Sequence, residues 1–397
     1  MTPQARVQAA IEILDAVIAA ARGGGAPADR IITEWFRTRR FAGSKDRRAV
    51  RELVYAAIRG CGPVPASGRA AMLRVAQGDA AVAALFDGAR HGPSPVEAGE
   101  AVAQAGVAPA WLERRLADSG IGGAAAQALL GRAPLDVRVN ALKADRASLV
   151  LPEAGEALLA PQGLRFAANT PVESWDAYAQ GLIEVQDGGS QLVCGAVAAQ
   201  PGETVIDLCA GAGGKTLGLA AAMGNRGRLI ACDVDRGRLQ RLAPRAERAG
   251  AIVAETLLMN PGREMEALAP LAGTADAVLI DAPCSGVGTW RRNPEARWRL
   301  SEAELARVTG IQARLLDLAV GLVKPNTGQG GGRIIFVTCS LLDEEGAGQF
   351  AAFLARHAGV RAERLELGAG EARGDGVRLS PLPDGTDGFF VGVARLL

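Results

Sequence analysis

"CAGAGGKT", residues 209 to 216, follows the apolar run "TVIDL". It comes close to the phosphate-binding loop of nucleotide hydrolases, but that pattern needs glycine six residues before the lysine, and the position holds Cys209. Gly211, Gly213 and Gly214 let the backbone approach a ligand closely. The order is strand, glycine loop, helix, strand, then acid: Asp233 and Asp235 lie at the end of the next strand, "GRLIACD" closing on Asp233 with Asp235 two residues on. An acid there can accept hydrogen bonds from both hydroxyls of a ribose. Three ligands fit this pattern in part. A nucleoside-type cofactor such as S-adenosylmethionine matches loop and acid. A dinucleotide would prefer G-x-G-x-x-G, which is absent. A hydrolase would use Lys215 and Thr216 on phosphate and Mg²⁺, with Asp281 as its second acid.

The runs "TVIDLC", "GRLIACD", "AIVAE", "ADAVLID" and "GRIIFVTCS" alternate with helical segments from about residue 191 onward. Near-continuous apolar strands of this kind suit a parallel sheet covered on both faces. Ser301 and Glu304 form a capping-box pattern ahead of "LARVTGIQARLLDLAVGLV". "DGFFVGVARLL" reads as a last, antiparallel edge strand. Residues 1–130 read as all-helical, with apolar steps of three and four in "VQAAIEILDAVIAA" and "AVRELVYAAIRG". Residues 131–190 read as a small α+β unit: "LDVRVNAL" alternates like a strand, "DRASLVLPEAGEALLAPQG" is expected to be helical, and "LIEVQDGGSQ" returns to strand and turn.

The chain has 397 residues and a net charge of +1, so charge alone does not point to nucleic acid. Its distribution does. "RTRRFAGSKDRRAVR" (37–51) and "WRRNPEARWR" (290–299) cluster arginines, the second with two tryptophans, and such clusters can neutralise phosphates and stack on bases. No apolar window is long enough to span a bilayer. With only His91 and His357, and no C-x-x-C pair among the six cysteines, no metal site is expected. The cysteines read as reduced thiols of a cytoplasmic protein, and a monomer is expected.

Cys284 in "VLIDAPCSG" and Cys339 in "IIFVTCS" each follow a strand end, at the same sheet edge as the glycine loop. A lone cysteine is usually a small buried hydrophobe. Two beside one cofactor cleft, one near an aspartate, suit methylation at carbon 5 of a pyrimidine. That carbon becomes nucleophilic only after a thiolate adds to carbon 6 and a carboxyl group steadies ring nitrogen 3. The nucleophile then needs a lowered pKa. A helix expected right after Cys339 would favour the thiolate through its dipole.

"VQDGGSQ", "DLCAGAGGKT", "DAPCSGVGTWRRNPE", "VTCSLLDEE" and "DGFF" occur in this order. Together they resemble the bacterial Sun-type (NOL/NOP/Sun) RNA cytosine-C5 methyltransferases, from about residue 131 to the C-terminus. The helical part resembles the NusB-like RNA-binding domain of the branch that methylates 16S ribosomal RNA. The resemblance implies an α/β Rossmann-fold class I methyltransferase over 191–397, preceded by a NusB-like domain (1–130) and a small RNA-recognition-like subdomain (131–190).

It also implies roles. Cys339 is the nucleophile, Cys284 assists product release, Asp281 meets the cytosine edge, and Lys215 lies near the reaction centre. Cys209, Ala210, Gly211, Ala212, Gly213, Gly214 and Lys215 hold S-adenosylmethionine with Asp233, Asn260 and Asp281. Arg291, Arg292 and Asn293 touch the RNA, and Asp187 and Gln191 brace the cofactor loop or the RNA. The chain departs from the family at Ala212, where proline is common, and at Asn260, where an aspartate is usual and the alternative alignment places Met259. A nucleotide hydrolase acting on RNA and a non-catalytic RNA-binding factor are the competing readings. DNA cytosine methyltransferases share the chemistry but take their nucleophile from the proline–cysteine motif.

Overall fold

The computed structural model describes residues 1–328 and 330–397. It divides into two compact units: Met1–Gly131 with Thr289–Ser301, and Arg132–Gly288 with Glu302–Leu397.

The first unit is helical: α1 (Pro3–Gly23), α2 (Ala28–Arg37), α3 (Ser44–Gly60), α4 (Gly68–Gly78), α5 (Ala80–Ala83), α6 (Ala110–Asp118) and α7 (Gly123–Ala128). Helix α1 starts where Thr2 accepts from the Ala5 amide at 3.2 Å, and it ends at Gly24, whose φ of 70° suits glycine. Its inward stripe, Val7, Ile11, Leu14, Val17, Ile18 and Ala21, meets Val50, Val54 and Ile58 of α3 and Ala71 and Met72 of α4 in one core.

The segment Thr289–Ser301 completes this unit by capping two of its helices. The Glu295 carboxylate accepts from the Ala28 amide at 3.0 Å, at the start of α2. The Arg297 guanidinium, fully buried, donates to the carbonyls of Ile58 (2.5 Å) and Cys61 (2.8 Å) at the end of α3. Trp298 enters the core, and its indole N–H donates to the Gly62 carbonyl at 3.2 Å.

The second unit holds two sheets. The small one contains β1 (Leu135–Val139), β2 (Glu156–Ala157), β3 (Gly163–Phe166) and β4 (Ile183–Val185), antiparallel in the order β2-β3-β1-β4. The expected helix over "DRASLVLPEAGEALLAPQG" does not form: turns and the two-residue β2 occupy it. Pro152, Gly155 and Pro161 interrupt any helical hydrogen-bond run. Arg146 instead donates to the carbonyls of Leu158, Ala160 and Gly163. Helices α8 (Asp176–Ala179) and α9 (Gly188–Gly195) flank β4.

The large sheet contains β5 (Thr204–Asp207), β6 (Arg228–Asp233), β7 (Glu255–Leu258), β8 (Ala277–Asp281), β9 (Arg333–Thr338), β10 (Val360–Glu363), β11 (Glu371–Arg373), β12 (Gly376–Leu379) and β13 (Phe389–Leu396). Its order is β11-β12-β13-β9-β8-β5-β6-β7, with β10 also on β13. The block β7-β6-β5-β8-β9 is parallel. Between and after these strands come α10 (Gly214–Ala222), α11 (Arg236–Leu239), α12 (Leu242–Ala249), α13 (Met265–Leu268), α14 (Glu302–Leu322), α15 (Ala347–Arg356) and α16 (Pro381–Asp384).

Alternation explains the apolar strands. Ile206, Ile230, Val278, Ile280 and Phe336 face one core, with α14 and α15. Val205, Leu229, Leu279, Ile335 and Val337 face the other, with α9 and α10. Two expected strands shift. "AIVAE" lies before its strand, since Ile252 is exposed and β7 begins at Glu255. The last strand is antiparallel but interior, paired with β9 on one side and with β12 and β10 on the other. Its unbroken buried run, Phe389 to Ala394, suits that place better than an edge. Among the described residues no helix is long and apolar enough to cross a membrane.

Candidate active site

The chain runs from β5 outward to β6 and β7 in one direction, then returns to β8 and β9 in the other. Such a reversal opens a crevice at the carboxyl ends of β5 and β8, where doubly wound sheets bind ligands. The glycine loop leaves β5 at this point. Gly211 and Gly213 have φ of 56° and 89°, a region open to glycine at little cost. Asp233, at the end of β6, accepts from the Gly211 amide at 2.7 Å and from the Asp235 amide at 2.7 Å, so the ribose candidate also shapes the loop. Arg245 donates to the Ala212 carbonyl at 2.7 Å, and Arg138 to the Gly214 carbonyl at 3.0 Å. An added Cβ at Gly214 would meet nothing within 4 Å, so the first turn of α10 borders open space.

Two neighbouring side chains decide against the hydrolase pattern. The Thr216 hydroxyl is fully buried and donates to Asp207 at 2.6 Å, which leaves it turned away from any metal ion. Lys215 turns to the end of β8, where its ammonium lies 2.6 Å from Asp281. Burial works to lower the Lys215 pKa, but the charge and hydrogen bond of Asp281 outweigh it and raise it. The ammonium also lies 5.6 Å from the Phe389 ring centroid, on β13. Asp207 was not singled out from the sequence. Its carboxyl is pushed up to about 7, chiefly by burial, and one of its oxygens has no hydrogen-bond partner. Its position at the strand end before the loop was the available signal.

The two cysteines meet. Cys284, after β8, and Cys339, after β9, have their sulfurs 3.3 Å apart, and both are partly exposed. The hydrogen bond to Cys339 and burial push the Cys284 thiol well above its usual value. Cys209, in the glycine loop, is likewise raised, first by burial and then by the acids around it. The helix expected directly after Cys339 begins only at Ala347, eight residues on, beyond the short turn Asp343–Glu345. A helix dipole acts within its first turn, so the thiolate argument from α15 fails.

The other candidates are placed as follows. Asn260 is exposed beyond the end of β7, whereas Met259 is buried in the core. Asp187 caps α9, accepting from the Gly189 amide at 2.9 Å, and also accepts from the Asp387 amide at 3.1 Å. Gln191 donates to the carbonyls of Val137 and Gln186, bracing the small sheet rather than the glycine loop. Arg138, Gln186 and Arg245, none of them singled out from the sequence, are among the residues that reach that loop. Arg238 is a further omission: its guanidinium lies over Gly211. Arg291, Arg292 and Asn293 belong to the helical unit, buried, half-buried and exposed in turn.

A parallel sheet with one interior antiparallel strand, a glycine loop after its first strand and an acid after its second define a class I methyltransferase fold. The chain belongs to the 16S rRNA methyltransferase RsmB/F family, which matches residues 195–396. It is 36% identical over 273 residues to the "Probable ribosomal RNA small subunit methyltransferase B" of a Synechocystis species, covering 65% of this chain and 59% of that protein. It is 36% identical over 301 residues to the ribosomal RNA small subunit methyltransferase B of Xylella fastidiosa, covering 73% of this chain and 68% of that one. The chain thus spans about three fifths of the length of the Synechocystis relative. A solved structure of a methyltransferase homologue from Pyrococcus horikoshii is similar at a TM-score of 0.60 and 26% identity, over 72% of this chain and 99% of that one.

Proposed function

We propose that this chain transfers a methyl group from S-adenosylmethionine to carbon 5 of a cytosine in small-subunit ribosomal RNA. One observation carries the reading: two thiols 3.3 Å apart, delivered by neighbouring strands. Asp281, at the end of the same strand that leads to Cys284, is held by Lys215. The family and its named relatives support the RNA substrate.

The cofactor, when bound, supplies an electrophilic methyl group. The residues present fit it: the glycine loop would hold its methionine part, Asp233 its ribose hydroxyls and Asn260 its adenine amino group. Exposed Asn260 suits that last contact better than buried Met259. Cys339 attacks carbon 6 of the cytosine as thiolate, forming an S–C6 bond, and the C5–C6 π pair makes carbon 5 nucleophilic. Asp281 steadies the ring at nitrogen 3. Carbon 5 takes the methyl group as its bond to the cofactor sulfur breaks, then gives up its proton to solvent, and the pair left behind restores the C5–C6 double bond and expels Cys339 as thiolate. Cys284, kept as a thiol, hydrogen-bonds the departing sulfur and so assists release. The target must be single-stranded or flipped, because a stacked helix hides carbon 6.

The helical unit acts as a NusB-like RNA-binding domain and the small sheet as an RNA-recognition-like subdomain. Basic residues 37–51, with half-buried Arg292 and exposed Asn293, orient the RNA through phosphate contacts, whereas buried Arg291 supports that loop from within. The enzyme works as a monomer in the cytoplasm, where its free thiols stay reduced. Methylation assays on 16S RNA test the assignment. Cys339→Ala abolishes transfer, and Cys284→Ala accumulates a protein–RNA adduct that survives denaturation. Normal turnover by Cys284→Ala with no adduct, or tight binding of Mg·ATP with none of S-adenosylmethionine by calorimetry, would overturn it.

A further inference from the structure

Behind the two sulfurs lies a carboxylate that the methyl-transfer reading does not use. Glu345, in the turn between β9 and α15, is fully buried. An unpaired buried charge is costly unless donors surround it. Here the donors are neutral. The Ser285 amide donates to one oxygen at 2.8 Å, the Ser285 hydroxyl donates to the other, and the Gln312 amide of α14 reaches the first at 3.1 Å. Among the described residues no lysine or arginine pairs with it.

The residues it grips are the immediate neighbours of both cysteines. Ser285 follows Cys284, and its hydroxyl lies 3.2 Å from that of Ser340, which follows Cys339. Thr338, which precedes Cys339, donates its hydroxyl to the Glu345 backbone carbonyl at 3.2 Å. Pro283, which precedes Cys284, offers its carbonyl to Gln312 at 3.0 Å, the same amide that reaches Glu345. All four residues flanking the two thiols are therefore tied, directly or through Gln312 and Ser285, to one side chain and its own peptide. Loops after strands are otherwise the most mobile part of a sheet edge.

We propose that Glu345 is the positioning residue that holds the Cys284 and Cys339 loops in mutual register, so that one sulfur can assist the departure of the other. The inference rests on the cytosine-methylation reading. Misplacement by about 1 Å can cost roughly a hundredfold in rate. Glu345 also contributes, after Cys339 and burial, to keeping Cys284 a thiol.

The test compares wild type, Glu345→Gln and Ser285→Ala as full-length chains on 16S RNA. Glu345→Gln fills the same space but cannot accept at both oxygens. It is expected to lower kcat about tenfold or more, with KM for S-adenosylmethionine within about twofold, because the glycine loop lies outside the network. The covalent RNA adduct should accumulate, as release slows when Cys284 is misplaced. Ser285→Ala should lower kcat in the same manner. Unchanged kcat and no adduct in Glu345→Gln overturns the proposal. A parallel loss of kcat, cofactor binding and melting temperature in both variants also overturns it, since that marks general destabilisation. If wild type itself neither methylates RNA nor forms an adduct, the reading of the site fails instead.

Discussion

Three glycines within four positions should respond differently to the same methyl group. Gly213 has φ of 89°, and a Cβ there would lie 2.1 Å from Leu242 Cδ1. Leu242 is itself packed among Ala210, Leu217, Ala231, Leu239 and Ala246, so it has little room to yield. The left-handed conformation costs alanine roughly 1–2 kcal/mol, and overpacking adds roughly 1–3 kcal/mol. Gly213→Ala should therefore lose about 2–5 kcal/mol. Gly211 has φ of 56°, but the nearest atom to its added Cβ is the end of the exposed Arg238 side chain, at 2.7 Å. Gly211→Ala should lose only the conformational part, roughly 1–2 kcal/mol. Gly214 opens α10 with space around it. Gly214→Ala should be neutral or gain up to about 1 kcal/mol from helix propensity. Calorimetric melting of the three variants reads the order directly, at roughly 2–4 °C per kcal/mol for a unit of this size. Titration with S-adenosylmethionine checks whether the loop still forms. Equal losses for Gly213→Ala and Gly214→Ala would refute the account of the loop as a cradle closed by Leu242.

Other consequences follow from buried groups and paired thiols. A mild peroxide should join Cys284 and Cys339 as a disulfide, two thiol hydrogens leaving with reduction of the peroxide to water; thiol counting should show both lost, activity should stop, and dithiothreitol should restore it. Sulfinic acid without the disulfide would contradict the pairing of the two thiols. The Asp207 carboxyl is pushed up to about 7, so between about pH 4 and 7 the unfolded chain releases this proton while the folded one keeps it. That contribution to stability falls as pH rises through the window, by at most about 1.4 kcal/mol per unit. Asp207→Asn should therefore gain on wild type with rising pH over that range and level off above it; a pH-independent difference in denaturant midpoints would sink the idea. Arg297→Met strands the carbonyls of Ile58 and Cys61, and should destabilise the helical unit by roughly 1–3 kcal/mol. An unchanged denaturant midpoint would show that water replaces the cap.

The parts of this molecule visible in the sequence are those written in consecutive residues. The loop from Cys209 to Thr216, the acid at 233 and the two cysteines after apolar runs each carry a local signal, and the parallel sheet explains why they share an edge. The expected helix over residues 145–163 does not form because Pro152, Gly155 and Pro161 break its backbone hydrogen-bond run despite the apolar content around them. The last strand looked like an edge because position within a sheet depends on partners far away in the chain. Glu345 and Gln312 were invisible for a related reason: nothing in "LLDEEG" marks which of two glutamates turns inward. "WRRNPEARWR" misleads in another way. Its charges suggest a solvated or RNA-facing loop, yet Glu295 and Arg297 are buried as helix caps and Trp298 is core.

That capping segment has a consequence for biosynthesis. The helical unit is assembled from two stretches of chain with the small sheet and strands β5 to β8 of the large sheet encoded between them. When the ribosome has finished α7, the start of α2 and the end of α3 still lack their buried partners, and the core has a tryptophan-sized gap. At roughly 5–20 residues per second the wait is on the order of ten seconds or more. During it, the nascent N-terminal helices expose apolar surface that chaperones can bind. A fragment cut at Gly131 never escapes that condition, so the region that looks most like a detachable module is the one whose folding depends on a later part of the same chain.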